Sequence, residues 1–160
     1  MIRTALLAMV IALIPTITAS ADDEPKPGVF SVFADEATVV ALANAERKKV
    51  CAPPLKLNPK LSSAARAHAL NMAKQDKLEH TLDGKTFDER VTAAGYEWSA
   101  TAENIGWNSR TPKDAIAAWM DSPPHKMNML SEDYTEIGVG VAVNEKGEKY
   151  WVQVFGKPLK

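Results

Sequence analysis

The sequence offers almost no covalent means of fixing a fold, because it contains one cysteine, Cys51, among 160 residues. A single thiol excludes an internal disulfide framework, so packing must supply the stability of the folded chain. Free cysteines are among the most buried residue types, and we therefore expect Cys51 to be buried between a helix end and Pro53-Pro54. A reactive thiol or an intermolecular disulfide is the alternative.

An excess of one charge sign and a long hydrophobic run are missing as well. The formal net charge is −1, and no basic stripe appears, so we expect no nucleic-acid partner. The apolar run from Ala5 to Ile14 is shorter than the ~18–20 residues that span a bilayer, so we expect no stable membrane anchor.

The amino terminus has the three parts of a secretory signal peptide. Arg3 supplies a positive charge, the apolar run follows, and Ala19-Ser20-Ala21 gives a small-x-small cleavage pattern. The sequence therefore predicts a signal peptide over residues 1–21, a flexible lead-in over 22–33 and one domain over 34–160. The expected location is secreted or periplasmic, after cleavage near Ala21.

Capping signals predict four helices in the expected domain. The predicted helices run from Phe33 or Asp35 to Lys49, from Asn58-Pro59 to near Lys77, from the Thr86-x-x-Glu89 capping box to Gly95, and from Thr111-Pro112 to Ser122-Pro123-Pro124. Residues 101–107 suggest a strand or an extended turn, and alternating apolar residues predict a hairpin over 137–155 with its turn at 144–147. The expected fold class is α+β, with helices covering a sheet. The aromatic residues Trp107, Trp119, Tyr150 and Trp151 are assigned to core and sheet packing.

Candidate chemistry rests on three histidines and one carboxylate. His68 lies on the apolar face of the second helix, which indicates a hydrogen-bonded histidine at the edge of the core. His80 and His125 lie in segments that appear irregular, where a site residue and a plain surface residue are equally open interpretations. Glu103 is a carboxylate among small and apolar residues, so we expect a histidine or a metal as its partner. His-Glu-x-x-His, Gly-x-Ser-x-Gly and phosphate-loop patterns are absent from the sequence.

A series of blocks in a fixed order resembles a known family. The blocks are Ala43-Asn44-Ala45-Glu46-Arg47, His80, Ala102-Glu103-Asn104-Ile105, Trp119-Met120-x-Ser122-Pro123-x-His125, Asn128-Met129-Leu130, Ile137-Gly138-Val139-Gly140 and Tyr150-Trp151-x-Gln153-x-Phe155-Gly156. Together they resemble the bacterial branch of the CAP superfamily, whose SCP domain occurs in cysteine-rich secretory, antigen five and pathogenesis-related class one proteins. The resemblance covers about residues 34–157.

The resemblance implies a three-layer α-β-α sandwich of the CAP/SCP type with a C-terminal β-hairpin. It also implies a cleft in which two histidines and two acidic residues converge, and these positions fall here on His80, Glu103 and His125. Ser122 occupies the position of the second acid, so the cleft has one negative charge fewer. We expect His80 and His125 to bind a divalent metal such as zinc weakly, with Glu103 as a hydrogen-bond partner that fixes one ring.

The expected function is that of a secreted, non-catalytic binding module whose extracellular ligand is a lipid, a glycan or a protein. No set of nucleophile, base and orienting group is apparent in the sequence, which favours binding over catalysis. The alternative is a metal-assisted, peptidase-like hydrolase in the same cleft, with His80, Glu103 and His125 as catalytic candidates and Glu103 as the base.

Overall fold

A four-stranded sheet with helices on both faces organises the chain. The computed structural model describes residues 27–160, so the predicted signal peptide lies outside the described residues. These residues form α1 (Pro27–Lys49), β1 (Lys56–Leu57), α2 (Pro59–Gln75), α3 (Phe87–Ala93), β2 (Trp98–Trp107), α4 (Pro112–Asp121), α5 (Pro123–Leu130), β3 (Glu136–Val143) and β4 (Lys149–Pro158). The strand order is β1-β3-β4-β2, with β1 parallel to β3 and the other pairs antiparallel. No helix in residues 27–160 is long and apolar enough to cross a bilayer.

The sheet separates two hydrophobic cores. Neighbouring residues of β4 face opposite sides, as the pleat of a strand requires: Val152 packs in the core under α2 and α3, and Trp151 packs in the core under α1, α4 and α5. Each core contains side chains from the sheet and from its own helical layer. This arrangement confirms the predicted α+β class and the three-layer α-β-α sandwich.

Helix α2 lies directly on β3 at two glycines. A Cβ atom added to Gly138 would lie 2.1 Å from the carbonyl carbon of Leu61, and one added to Gly140 would lie 2.3 Å from that of Ala65. Both distances are far below van der Waals contact, so only glycine allows the helix backbone to come this close. The small residues that alternate with the valines of this strand therefore determine how deeply α2 is seated.

Three of the four predicted helix starts and the hairpin are confirmed. Asn58 Oδ1 accepts hydrogen bonds from the backbone N–H groups of Lys60 and Leu61 at 2.9 and 3.3 Å. Both threonine caps form capping boxes, Thr86 with Glu89 and Thr111 with Asp114. The C-terminal hairpin pairs β3 with β4 in antiparallel register.

Two helix boundaries differ from the prediction. Helix α1 spans Pro27–Lys49 in the described residues, and so includes part of the predicted lead-in instead of starting at Phe33 or Asp35. The Arg66 guanidinium, on α2, covers the Phe33 ring at 4.6 Å in this early part of α1. The pair Pro123-Pro124 ends α4 as predicted, but it also begins a fifth helix, α5, because proline fits the first turn of a helix, where its missing N–H would be unpaired anyway.

The expectation that Cys51 is buried is wrong. The residue is exposed and adopts a left-handed conformation with φ 60° just beyond α1. The Cys51 N–H donates to Lys48 O and the Ala52 N–H donates to Arg47 O, which is the hydrogen-bond pattern of a Schellman C-cap. Cys51 therefore occupies the position that usually carries glycine, and this position directs its side chain into solvent.

One of the four aromatic assignments is also wrong. Trp119, Tyr150 and Trp151 are buried as predicted, whereas Trp107 is 47% exposed. Trp107 is the last residue of β2, which pairs with another strand on one side only, and the adjacent Asn108 already leaves the strand with φ 61°. The alternation of the strand therefore ends before the Trp107 side chain can be covered.

Candidate functional site

The buried Glu103 carboxylate is the centre of the candidate site. Its side chain, on β2, is 1% exposed, and its two oxygens have different partners. Oε1 accepts a hydrogen bond from His80 Nδ1 at 2.9 Å, and Oε2 accepts one from Arg90 Nη2 at 2.7 Å. The expectation that this carboxylate has a histidine or metal partner is met by His80. Because both oxygens are already paired, Glu103 acts on its neighbours and not as a free base.

Arg90, on α3, is a site residue that sequence reasoning missed. Besides its ion pair with Glu103, its Nη1 atom donates to the backbone oxygens of His80 at 2.9 Å and Lys85 at 2.8 Å. One guanidinium thus fixes both the carboxylate and the connection that carries His80. Nothing in the spacing of residues 90 and 103 reveals this pair, because tertiary packing brings α3 to β2.

His68 has the predicted structural role and also borders the site. It is buried on α2, where its Nε2 lies 2.9 Å from Glu79 O and 3.9 Å from Glu103 Oε1. Desolvation lowers the pKa of His68, against the opposing effect of the Glu103 charge. A neutral ring must carry its proton on Nε2 to donate to a carbonyl oxygen. His68 therefore holds the backbone immediately before His80.

The hydrogen bond to Glu103 determines what His80 presents to solvent. A carboxylate only accepts hydrogen bonds, so the proton of a neutral His80 ring lies on Nδ1. The unprotonated Nε2 then carries a free lone pair. The side chain is 50% exposed, so this lone pair is accessible from outside.

His125 occupies the first turn of α5, which corrects its predicted place in an irregular segment. Its side chain is half-buried. Desolvation lowers the pKa of His125, and the charge of His80 lowers it further. The second effect means that His80 lies within the range over which its charge acts on His125, although no hydrogen bond joins the two rings within residues 27–160.

A network of amide side chains holds the backbone of His125. The fully buried Asn104 donates from Nδ2 to the backbone oxygen of His125 at 3.0 Å and to Gln153 Oε1 at 3.1 Å. Asn128, also on α5, donates to Asn104 Oδ1 at 2.9 Å. The blocks that carry the family resemblance contain all three amides, but pattern reasoning assigned them no role.

His80 and His125 are held from opposite faces of β2, the strand at the outer edge of the sheet. Glu103 and Asn104 are neighbours on this strand, so their side chains lie on opposite faces of the sheet. His80 is therefore held on one face and the start of α5 on the other. We call the space between His80 and His125 the cleft.

The other predicted cleft residue, Ser122, lies half-buried at the junction of α4 and α5. Within residues 27–160, its hydroxyl makes no hydrogen bond to either histidine. The same residues contain no group of three or more His, Cys, Asp or Glu side chains placed to hold a metal ion. The ring nitrogens of His80 and His125 are thus the donors that the cleft can offer.

A cavity in the described part of the chain lies beside the cleft. It has a volume of about 490 Å³ between α2 and α3, and its lining includes His68, Leu70, Lys74, Leu82, Lys85 and Arg90. Neither His80 nor His125 lines it. His68 and Arg90 separate this cavity from Glu103.

These observations define a class of protein: a small α-β-α sandwich with a hydrogen-bonded cluster of histidine, glutamate and arginine on the edge strand of its sheet. The model of the Cysteine-rich secretory protein family, CAP, matches residues 40–155, and the chain belongs to that family. This membership confirms the resemblance seen in the sequence blocks.

Relatives from several bacteria share the domain. The Bacillus subtilis protein YkwD is 36% identical over 129 residues, which cover 79% of this chain and 49% of YkwD, so the chain spans about half the length of that relative. An outer surface protein of Borrelia burgdorferi has a similar structure, with a TM-score of 0.74 at 23% identity over 79% of this chain and 94% of that one. An extracellular SCP-domain protein of Bacillus anthracis aligns with a TM-score of 0.76 at 22% identity over 83% of this chain and 44% of that one. At these identities the two structures support the fold alone.

Proposed function

We propose that this CAP-domain protein is an exported binding module whose cleft binds its ligand through His80 and His125. The observation that carries the proposal is the pairing of both Glu103 oxygens, which leaves the carboxylate to orient His80 and leaves His80 Nε2 as the accessible group. The signal-peptide pattern supports export. The two structural relatives are themselves described as an outer surface protein and an extracellular protein.

The cleft fits a weakly held divalent metal better than a tightly held one. Two neutral imidazoles are suitable donors for zinc, and a carboxylate bonded to the far nitrogen of one ring is a common support for such ligands. Two protein ligands leave most of the coordination shell to water or to the bound partner, and the serine at position 122 adds no charge. When bound, the ion would supply Lewis acidity and an attachment point for an oxygen or nitrogen of the ligand.

The hydrolase alternative has less support from this geometry. A base–orienter pair exists in His80 and Glu103, but in residues 27–160 no hydroxyl or thiol is hydrogen-bonded to either cleft histidine. Glu103 is also a poor candidate for the base, because Arg90 and His80 occupy its two oxygens.

Zinc titration followed by calorimetry and metal analysis tests the proposal. We expect about one exchangeable zinc ion per chain, and we expect His80→Ala and His125→Ala each to abolish its uptake. Glu79→Gln is the matched control, because it removes an exposed carboxylate beside His80 and keeps both rings.

Activity assays complete the test. Peptide and ester substrates should show no turnover with or without zinc or a chelator. Turnover that His80→Ala abolishes would overturn the binding-module proposal in favour of the hydrolase. Zinc uptake that survives both histidine substitutions would place the metal elsewhere.

A further inference from the structure

The outer edge of β2, between the residues that hold His80 and His125, presents unpaired backbone groups. Just beyond β2, Asn108 N–H donates to Lys149 O at 2.8 Å, and this bond determines which residues of β2 are hydrogen-bonded to β4. In an antiparallel pair, alternate residues bond to the partner strand and the others point away from it. From Ala100 onward, beyond the register shift that follows Trp98, the even-numbered residues of β2 therefore bond to β4, whereas Thr101, Glu103 and Ile105 direct their N–H and C=O groups outward.

One end of this outward row is already closed. The Trp119 indole N–H donates to Ile105 O at 2.9 Å, so α4 covers the edge at that residue. Within residues 27–160, nothing donates to or accepts from the backbone groups of Thr101 and Glu103 on this side. Two N–H and two C=O groups are thus available on neighbouring outward residues.

Solvent reaches this backbone and not the carboxylate. Glu103 as a residue is 6% exposed, whereas its side chain is 1% exposed, so most of the accessible area belongs to main-chain atoms. Thr101 is half-buried, and the edge becomes more open toward Ser99. A ligand can therefore approach along the strand from Ser99 and stop below Trp119.

We propose that an extended peptide segment of a partner protein adds to the sheet along Thr101 and Glu103, between His80 and His125. Outward residues of a strand repeat every ~6.8 Å, and an extended peptide backbone presents acceptors and donors with the same repeat. Lipid chains lack such groups altogether. This mode of recognition, strand addition to an exposed sheet edge, derives affinity from main-chain hydrogen bonds and specificity from alternate side chains.

The flanking histidines give this edge its selectivity. Successive side chains of an added strand point to opposite faces of the sheet, so one would meet His80 and the next would meet His125. The lone pair on His80 Nε2 favours a side chain with a hydroxyl or N–H donor at the first of these positions. The inference rests on the proposed function, because it names the ligand class of the same cleft.

Nuclear magnetic resonance of the ¹⁵N-labelled protein in metal-free buffer provides the test. The probe is the peptide acetyl-Thr-Val-Thr-Val-Thr-amide, and its control is the same peptide N-methylated at alternate residues, which cannot form one side of a ladder. We expect the first peptide to shift the Thr101 and Glu103 amide signals and to slow their hydrogen exchange at least about tenfold, with no effect from the methylated peptide. Exchange protection of both amides before any peptide is added would overturn the proposal.

A pair of variants at one position separates the backbone from the side chain. Thr101→Pro removes the outward N–H without breaking a bond to β4, a substitution that edge strands tolerate. Thr101→Ala keeps the N–H, and both variants lose the bond from the Thr101 hydroxyl to Phe155 O. Peptide binding should survive in Thr101→Ala and be lost in Thr101→Pro. Equal binding by both variants, or equal binding of the two peptides, would refute strand addition.

The same samples distinguish this inference from the proposed function. Zinc uptake without peptide binding would refute strand addition and leave the proposed function unchanged. Peptide binding without zinc uptake would refute the metal part of the proposed function and support strand addition. If Thr101→Pro fails to fold, as judged by its amide spectrum, the comparison of the two peptides on the unmodified protein still decides.

Discussion

The two sides of the cleft are built from different chemistry, although they start from neighbouring residues of one strand. On one face of the sheet, Glu103 uses full charges: it binds Arg90 and His80 and lies close to His68. On the other face, Asn104 uses neutral amides to bind the start of α5. The charged side holds the irregular connection between α2 and α3, whereas the neutral side holds α5, which its own backbone hydrogen bonds already order. The charged groups are thus found where the backbone has no regular hydrogen bonds of its own.

Removal of Arg90 should produce the largest effect on this comparison. Arg90→Met leaves the buried Glu103 carboxylate without its cation and should lower the free energy of unfolding by ~3–5 kcal/mol. Urea denaturation measures the change. Arg110→Met, at an exposed arginine, is the matched control and should change stability by less than ~0.5 kcal/mol. Equal effects of the two substitutions would mean that the ion pair contributes nothing to the charged side.

Removal of the neutral network should cost less. Asn104→Leu leaves one buried partner, the Gln153 amide oxygen, unpaired, at a cost of ~1–3 kcal/mol. The His125 oxygen and the Asn128 amide lose the same partner, but both bonds are only part-buried, so water can replace them. We therefore expect a smaller loss in urea denaturation than for Arg90→Met. A double-mutant cycle with Gln153→Leu provides the control, because the second substitution should cost less once Asn104 is gone. A loss larger than that of Arg90→Met would reverse the order of the two sides.

His80→Ala should affect stability less again, by ~0.5–1.5 kcal/mol, because water can reach Glu103 Oε1 once the half-exposed ring is removed. Thermal or urea unfolding checks the change, with Glu79→Gln as the neighbouring control. A loss that matches Arg90→Met would indicate that His80 serves the fold more than the cleft.

The smallest expected effect is a difference in pH dependence. Burial lowers the pKa of His68 in the folded chain below its ordinary value of 6.5. At a pH between the lowered pKa and the ordinary one, His68 is therefore protonated in the unfolded chain and neutral in the folded chain. Stability should therefore fall as the pH drops below about 6.5, and His68 should have no effect above that pH. His125 contributes in the same direction, because its pKa is lowered as well.

Urea midpoints of the protein and of His68→Gln, compared between about pH 7.5 and about pH 5, check this expectation. Glutamine keeps an N–H donor for Glu79 O but does not titrate, so its midpoint should fall less. An equal fall of the urea midpoint in the protein and in His68→Gln would show that His68 does not contribute to the loss of stability in acid.

Local signals predicted the fold better than they predicted the site. The caps at Asn58, Thr86 and Thr111 depend on residues within one turn, so the sequence displays them directly. Helix α5 was not predicted because Pro123-Pro124 is typical both of the end of one helix and of the first turn of another. The local sequence alone does not show that both occur here. Cys51 was misplaced for a related reason, since a backbone conformation and not hydrophobicity directs its side chain outward.

The site could be predicted only in part. His80, Glu103 and His125 were recognised as residues from the family blocks, and the need of Glu103 for a partner follows from the cost of a buried charge. The partners Arg90 and Asn104 were missed, because their contacts join elements that are far apart in the chain. Residue spacing has no information about which helix faces which strand.

The two glycines of β3 have a consequence for the width of the cleft. Helix α2 rests on Gly138 and Gly140, and further along the same helix His68 holds Glu79, the residue before His80. The bare backbone of β3 therefore sets the position of α2. A single added methyl group at either glycine would move α2 away from the sheet, and His68 would then draw the Glu79 carbonyl, and His80 with it, away from β2. The distance between His80 and His125 thus depends on two residues that have no side chain.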